Sequence, residues 1–241
     1  MNGHLLAMNR GRRLWLLSAG SLLITAATAS PAAQMATETR HVGGFDEVIF
    51  AAAGELDIVQ SPREQLIIEA EPAILRKITS EVRGRQLVLG FTPGNVVARE
   101  PIRFRLEMPT LSTLELQSSG NVHLGSFEVH SLSLRLAGSG DIRMDRLKVQ
   151  NLVLRLPGSG TVSITHGQAD LQRIEIDGAG TVDTAGMACR SADVSIAGSG
   201  DVRLAASEHL QASISGSGSV RFLGNPQLVR SISGAGTIER E

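Results

Sequence analysis

A triplet of small residues closing on glycine recurs through the second half of this chain, and its spacing restricts the fold more than any other feature. The copies are Ser118-Ser119-Gly120, Gly138-Ser139-Gly140, Gly158-Ser159-Gly160, Gly178-Ala179-Gly180, Gly198-Ser199-Gly200, Gly216-Ser217-Gly218 and Gly234-Ala235-Gly236, at intervals of 20, 20, 20, 20, 18 and 18 residues. Two residues past each final glycine stands a β-branched aliphatic: Val122, Ile142, Val162, Val182, Val202, Val220 and Ile238. Four residues before it stands Leu116, Leu136, Leu156, Ile176, Ile196, Ile214 or Ile232. The residue ahead of each of these is polar (Glu115, Arg135, Arg155, Glu175, Ser195, Ser213, Ser231). The one before that is apolar except in the last copy, where it is Arg230. Alternation with period two marks a strand with one buried face.

Each unit therefore reads as strand, glycine turn, strand, and a looser polar return such as 145–151. One such unit cannot bury its apolar face alone, but a stack of them can. Two arrangements place all the glycine turns at one end: rungs of a parallel β-helix, and an antiparallel meander with three-residue hairpin loops. Rungs fit better, because like residues recur at like positions, which stacking about 4.8 Å apart demands. On that reading Gly120, Gly140, Gly160, Gly180, Gly200, Gly218 and Gly236 are structural corners, where a side chain would strike the rung above or meet closed backbone angles. The expected fold is all-β: one solenoid domain with rungs of about 20 residues and an irregular β part at its N-terminal end.

That irregular part spans 44–110. Leu56-Asp57-Ile58-Val59, Leu66-Ile67-Ile68, Leu87-Val88-Leu89 and Ile102-Arg103-Phe104-Arg105-Leu106 are short alternating strands between turn residues, with a short helical turn expected within 73–79. The repeat region is 111–241. At the far end, Glu239-Arg240-Glu241 can blunt an exposed edge. A bare terminal rung is also the surface through which two copies would pair into a homo-oligomer.

Ahead of these lies an address. Arg10, Arg12 and Arg13 precede an apolar run from Leu14 to Thr25, then small residues ending Ala27-Thr28-Ala29. This is the pattern of a secretory signal over 1–29, followed by a linker over 30–43. The run is shorter than the roughly 20 residues a spanning helix needs, so no transmembrane segment is expected in the mature chain. The protein is read as exported, to the periplasm or beyond.

Composition narrows function. The 23 basic and 24 acidic residues leave a net charge of −1, which offers no whole-molecule field for nucleic acid. There is no Tyr, and the single Trp, Trp15, lies in the signal, so ring-stacking clefts for sugars or single strands are disfavoured. The lone cysteine, Cys189, has no partner for an internal disulfide and reads as a small buried residue. Gly-Ser-Gly here lacks the Lys-Ser/Thr and following helix of a phosphate loop. Acids follow the triplet only at Asp141 and Asp201, which favours a ladder of small polar residues between rungs over a string of cations. The histidines His41, His123, His130, His166 and His209 show no metal-site spacing. No cofactor is expected.

With Gly44-Phe45-Asp46-Glu47-Val48, Gly54-Glu55-Leu56-Asp57-Ile58, Pro109-Thr110-Leu111 and the seven turns, the chain resembles the putative auto-transporter adhesin, head GIN domain family, over about residues 42–238. The resemblance implies a secreted or envelope β-solenoid without an enzymatic activity and brings no catalytic residues. The reading is thus an exported, non-catalytic, adhesin-like binding or structural protein, whose partner would be an envelope protein or a surface glycan. Its rival is a carbohydrate-active β-helix lyase or hydrolase, for which outward acids are too dispersed. One column would stack Glu115, Arg135, Arg155 and Glu175 as acid, base, base, acid. Arg135 and Arg155, joined by Arg143, are the candidates for a surface anion or acidic-glycan contact.

Overall fold

The structure is a computed structural model that describes residues 35–241, so the signal expected over 1–29 lies outside the described residues. The N-terminal part holds β1 (Ala36–Arg40), β2 (Glu47–Phe50), β3 (Glu55–Gln60), β4 (Gln65–Ala70), the one-turn helix α1 (Pro72–Leu75), β5 (Ile78–Arg83), β6 (Gln86–Phe91) and β7 (Arg103–Met108). The repeats supply β8 (Thr113–Leu116), β9 (Asn121–Glu128), β10 (Ser131–Leu136), β11 (Ile142–Leu156), β12 (Thr161–Ile176) and β13 (Thr181–Thr184). They continue through β14 (Met187–Gly198), β15 (Asp201–Ala205), β16 (His209–Gly216), β17 (Ser219–Leu223), β18 (Gln227–Gly234) and β19 (Thr237–Arg240).

Neighbouring copies run parallel and in register, as a solenoid requires and a meander forbids. Val122 pairs with Ile142, then Val162, Val182, Val202, Val220 and Ile238 follow one above another. The column ahead of the corner runs from Leu116 through Leu136 and from Leu156 through Ile176, Ile196 and Ile214 to Ile232. All of these are buried except Ile232, which is 41% exposed on the terminal turn. Stacking removes each aliphatic from water on both sides, at about 25 cal/mol per Å² of apolar surface.

The corners are tight because backbone lies directly behind them. A Cβ on Gly160 would fall on the carbonyl oxygen of Gly140 and crowd Leu136. Close approach, and not backbone angle, is the requirement there. The left-handed conformation expected of the corners belongs to the first glycine of the last three triplets, such as Gly216 at φ 137°.

The return segment 145–151, expected to be loose, is strand. β11 runs unbroken from Ile142 to Leu156, and Leu147 and Val149 pair with Gly167 and Ala169 of β12. Leu147 and Val149 point inward and are buried, so this stretch has its own apolar face to stack. Each turn accordingly has three sides: one before the glycine corner, one after it, and this return.

The N-terminal part is more regular than its sequence spacing suggests. β2 and β3 form a turn in register with the repeats, Phe50 on Leu116 and Leu56 on Val122. Its corner is Ala52-Ala53-Gly54, with Phe50 four residues before the glycine and Leu56 two after, the same rule as every later copy. Beneath it lies the later-sequence turn of β6 and β7, with Leu89 under Phe50 and Phe104 under Leu56. The Phe50 and Phe104 rings meet edge to face, 5.3 Å between centroids. The chain thus leaves the β2–β3 turn, builds the end of the stack, and returns above its starting point to begin the repeats. Antiparallel β4 and β1 extend one side of that end and β5 the other. The short helix expected near 73–79 is α1, beginning at Pro72 and ending before β5.

Candidate binding faces

Outward residues of the parallel strands also form columns, and their chemistry follows from the same register. On the side before the corner, Glu115, Arg135, Arg155 and Glu175 stack in that order. Arg135 Nε donates to Glu115 Oε1 at 3.1 Å and Arg155 Nε to Glu175 Oε2 at 2.8 Å. The two arginines turn away from each other toward their acids, which leaves the Arg135–Arg155 step without a shared anion. Above Glu175 the column becomes Ser195, Ser213 and Ser231. Exposed pairs of this kind contribute about 0–1 kcal/mol each, so their effect is to neutralise the face more than to hold it.

Arg143 does not join them. It lies past the corner on the adjacent side, where it donates to Asp141 Oδ2 at 2.9 Å within its own turn. Its column reads Arg105, Asp57, His123, Arg143, Ser163, Asp183, Arg203, Arg221 and Glu239. His123 is held between two carboxylates, Nδ1 3.2 Å from Asp57 and Nε2 3.0 Å from Asp145. Both ring nitrogens donate at once only in the imidazolium. The hydrogen bond to Asp145 is the main influence raising the His123 pKa above its ordinary value; burial opposes it and Asp57 adds to it. His123 and Asp57, together with Glu55, Asp141 and Arg143, line a concavity of about 280 Å³. Farther along, Arg203 bridges Asp183 and Glu241, and its hydrogen bond lowers the Glu241 pKa.

Immediately after the corner, small polar residues tie turn to turn. Asn121 Oδ1 accepts from the Asp141 amide at 3.1 Å, Asp141 Oδ1 accepts from the Thr161 amide at 3.2 Å, and the Ser219 hydroxyl donates to Asp201. These carboxylates are occupied with backbone and neighbours. Among the described residues no group of three or more His, Cys, Asp or Glu is arranged to hold a metal ion.

The third side carries a groove of about 440 Å³ floored by Val149, Ala169, Cys189 and Ala206. It sits where the turns shorten. Thr184 to Ser191 stacks under Leu204 to His209, two residues fewer, so the return side steps inward. Cys189 is buried, its Sγ hydrogen-bonds the Ser191 carbonyl at 3.0 Å, and burial raises its thiol pKa. A thiol so placed is a poor nucleophile. Beside it, Gln172 takes an interior position in the column of Leu132, Leu152, Ala192 and Leu210. Its Oε1 accepts from Thr184 Oγ1 at 2.9 Å, while its Nε2 is buried without a partner.

The Asp57–His123 contact escapes a reading of the seven triplets because Asp57 belongs to the β2–β3 turn. The Ala52-Ala53-Gly54 corner is the signal that places it one rung below His123.

The model of the putative auto-transporter adhesin, head GIN domain, family matches residues 44–226. The chain belongs to this family. Solved structures share the fold of this head GIN domain. A putative adhesin from Bacteroides fragilis is 24% identical, with a TM-score of 0.82, covering 88% of this chain and 99% of its own. A putative adhesin from Parabacteroides merdae is 20% identical, with a TM-score of 0.69 and 86% and 96% coverage. A protein from Parabacteroides distasonis described as a putative lipid binding protein is also 20% identical, with a TM-score of 0.67 and the same coverages. At these identities the likeness is one of fold. No curated protein matches the chain. The head GIN domain here is therefore a parallel β-solenoid, as the resemblance implied, and no helix among its described residues is long and apolar enough to cross a membrane.

Proposed function

We propose that this protein is an exported, non-catalytic component of the cell envelope that binds, or spaces, another envelope protein or a surface glycan through the outer faces of its solenoid. The observation that carries the reading is the charge-matched, in-register outer face. Eleven strands from β1 to β19 stack along the side after the corner, giving a face of roughly 48 Å at the usual strand spacing. Its charged columns pair internally, Arg203 with Asp183 and Glu241 and His123 with Asp57 and Asp145. Such a surface suits many weak, repeated contacts. The adhesin family name and the signal-like N-terminal sequence support the same reading. Arg135 and Arg155 are the side chains proposed to meet an anionic group, since each could exchange its acid for a ligand.

The rival enzyme reading needs two carboxylates facing each other across a gap that admits a glycosidic bond. Asp57 and Asp145 do face each other, but the His123 ring occupies the space between them. The test is binding of the fluorescently labelled chain to intact cells of its source, before and after protease or periodate treatment, with released reducing ends measured in parallel. Saturable binding lost on one treatment is expected and separates protein from glycan. Absence of binding, or reducing ends appearing with time, overturns the proposal.

A further inference from the structure

Two of the inward columns that pass through the terminal turn change character at its last strands. Leu114, Leu134, Leu154, Ile174, Val194 and Ala212 lead to Arg230. Leu124, Met144, Ile164 and then Thr184, Leu204 and Phe222 lead to Arg240. Arg230 thus follows Ala212 and Arg240 follows Phe222 at the open end of the core. Of the carboxylates near this end, Glu241 is engaged with Arg203 and Asp201 with Ser219, while Glu239 lies on the outward face in the column of Arg221. Otherwise the end is an invitation to stack. β18 offers an eight-residue edge with no further strand paired to it among the described residues, and it exposes Val229 by 59% and Ile232 by 41%.

We propose that Arg230 and Arg240 seal the C-terminal end of the solenoid against a second copy of this chain. A strand laid on β18 in the core-continuing register would bury the Arg230 guanidinium, and a buried charge to which the incoming strand brings no carboxylate is strongly disfavoured. An inward-pointing charge on an edge strand is a recognised protection against edge-to-edge pairing. Among the described residues the core-facing register of β1 offers one carboxylate, Glu38, and it is already held by Arg40 Nε at 2.9 Å. In a tail-to-tail pair centred on β18, Arg230 meets Arg230 or an aliphatic. In a head-to-tail stack, Arg40 of β1 falls in the column of Arg240, because Arg40 aligns with Leu66, Leu106, Ile58 and Leu124. Arg40 itself closes the opposite end, donating to the carbonyls of Ile78 and Leu75 and to Ser80 Oγ. At the C-terminal end Arg230 and Arg240 are exposed, Arg240 donating to Asn225 Oδ1 at 3.0 Å, so both ends of the stack carry arginines in core-facing register.

The test is sedimentation velocity of the full chain over a hundredfold concentration range, comparing the native protein with R230L/R240L and R230K/R240K. The leucine variant is expected to gain mass with concentration, reaching at least about twice the native value as copies pair through a bared apolar end. The lysine variant, which keeps both charges, is expected to sediment as the native protein does. Circular dichroism and a cooperative melt establish that each variant is folded. Should the double leucine variant not fold, R230L alone, which restores the residue type of Leu114, Leu134 and Leu154, is read by the same rule. A folded leucine variant with native mass at every concentration overturns the proposal, as does a lysine variant that associates.

Discussion

Gly138 lies directly over Ser118, so that a Cβ on the glycine would coincide with the serine carbonyl oxygen one turn below. The same relation recurs at Gly140 over Gly120, Gly158 over Gly138 and Gly160 over Gly140. The corner stripe is small because backbone occupies the space a side chain would need, turn after turn.

Gly160→Val is expected to destabilise the fold by about 3 kcal/mol or more, since neither the Gly140 carbonyl nor the packed Leu136 can yield. Arg155→Ala, which removes only a half-exposed pair with Glu175, is expected to cost under about 1 kcal/mol. Urea unfolding midpoints compare them. Equal midpoints would contradict the close-approach account of the corner.

His123 links three turns only while protonated. Its pKa is raised in the folded protein, so the contribution is complete below the unfolded value of about 6.5 and disappears as pH climbs through the folded one. The stability difference between the native chain and His123→Asn should therefore be largest between about pH 5 and 6.5 and shrink above that window. Because the ring is half exposed the effect is small. Urea titrations at stepped pH check the sign, and a difference that grows toward pH 9 would refute it.

Gln172 and Thr184 form a polar pair inside an otherwise aliphatic stack, with the Gln172 Nε2 left without a partner. Replacing both, as Gln172→Leu with Thr184→Val, is expected to stabilise by about 1–3 kcal/mol. Gln172→Leu alone should gain less, because it strands the Thr184 hydroxyl. A double variant less stable than the single would show that the pair is a net support of the core.

Cys189 is expected to resist a thiol reagent in the folded protein and react at once in denaturant, given its burial and raised pKa. Absorbance of the released thiolate from an aromatic disulfide reports it. Reaction in native buffer at the rate of a free thiol would place the sulfur in the groove and not behind it.

How much of this was legible varies with the residue. Leu116, Val122 and their later equivalents announce a stack because period two within a unit and period 20 between units leave few alternatives. The acid-base order of Glu115, Arg135, Arg155 and Glu175 follows directly from that register. Leu147 and Val149 were harder. They sit between two corners in a stretch rich in Asp, Arg, Lys and Gln, where outward polarity masks an inward pair. The β2–β3 corner is written in the same code at Phe50, Gly54 and Leu56, but only one copy carries it, so no repeat interval singles it out.

The chain by itself determined that like residues would stack, that glycine would hold the corners, and that Arg230 breaks a column of aliphatics, since these are consequences of local alternation and of a period fixed along the backbone. Only the tertiary structure decided that the turn of β6 and β7 lies beneath the turn of β2 and β3, that Asp57 reaches His123, and that shortening the return by two residues opens a groove over Cys189. Those outcomes depend on which strand edges meet in space, and edge pairing is chosen by the whole assembly of core and crossover connections, on which no single segment's pattern bears.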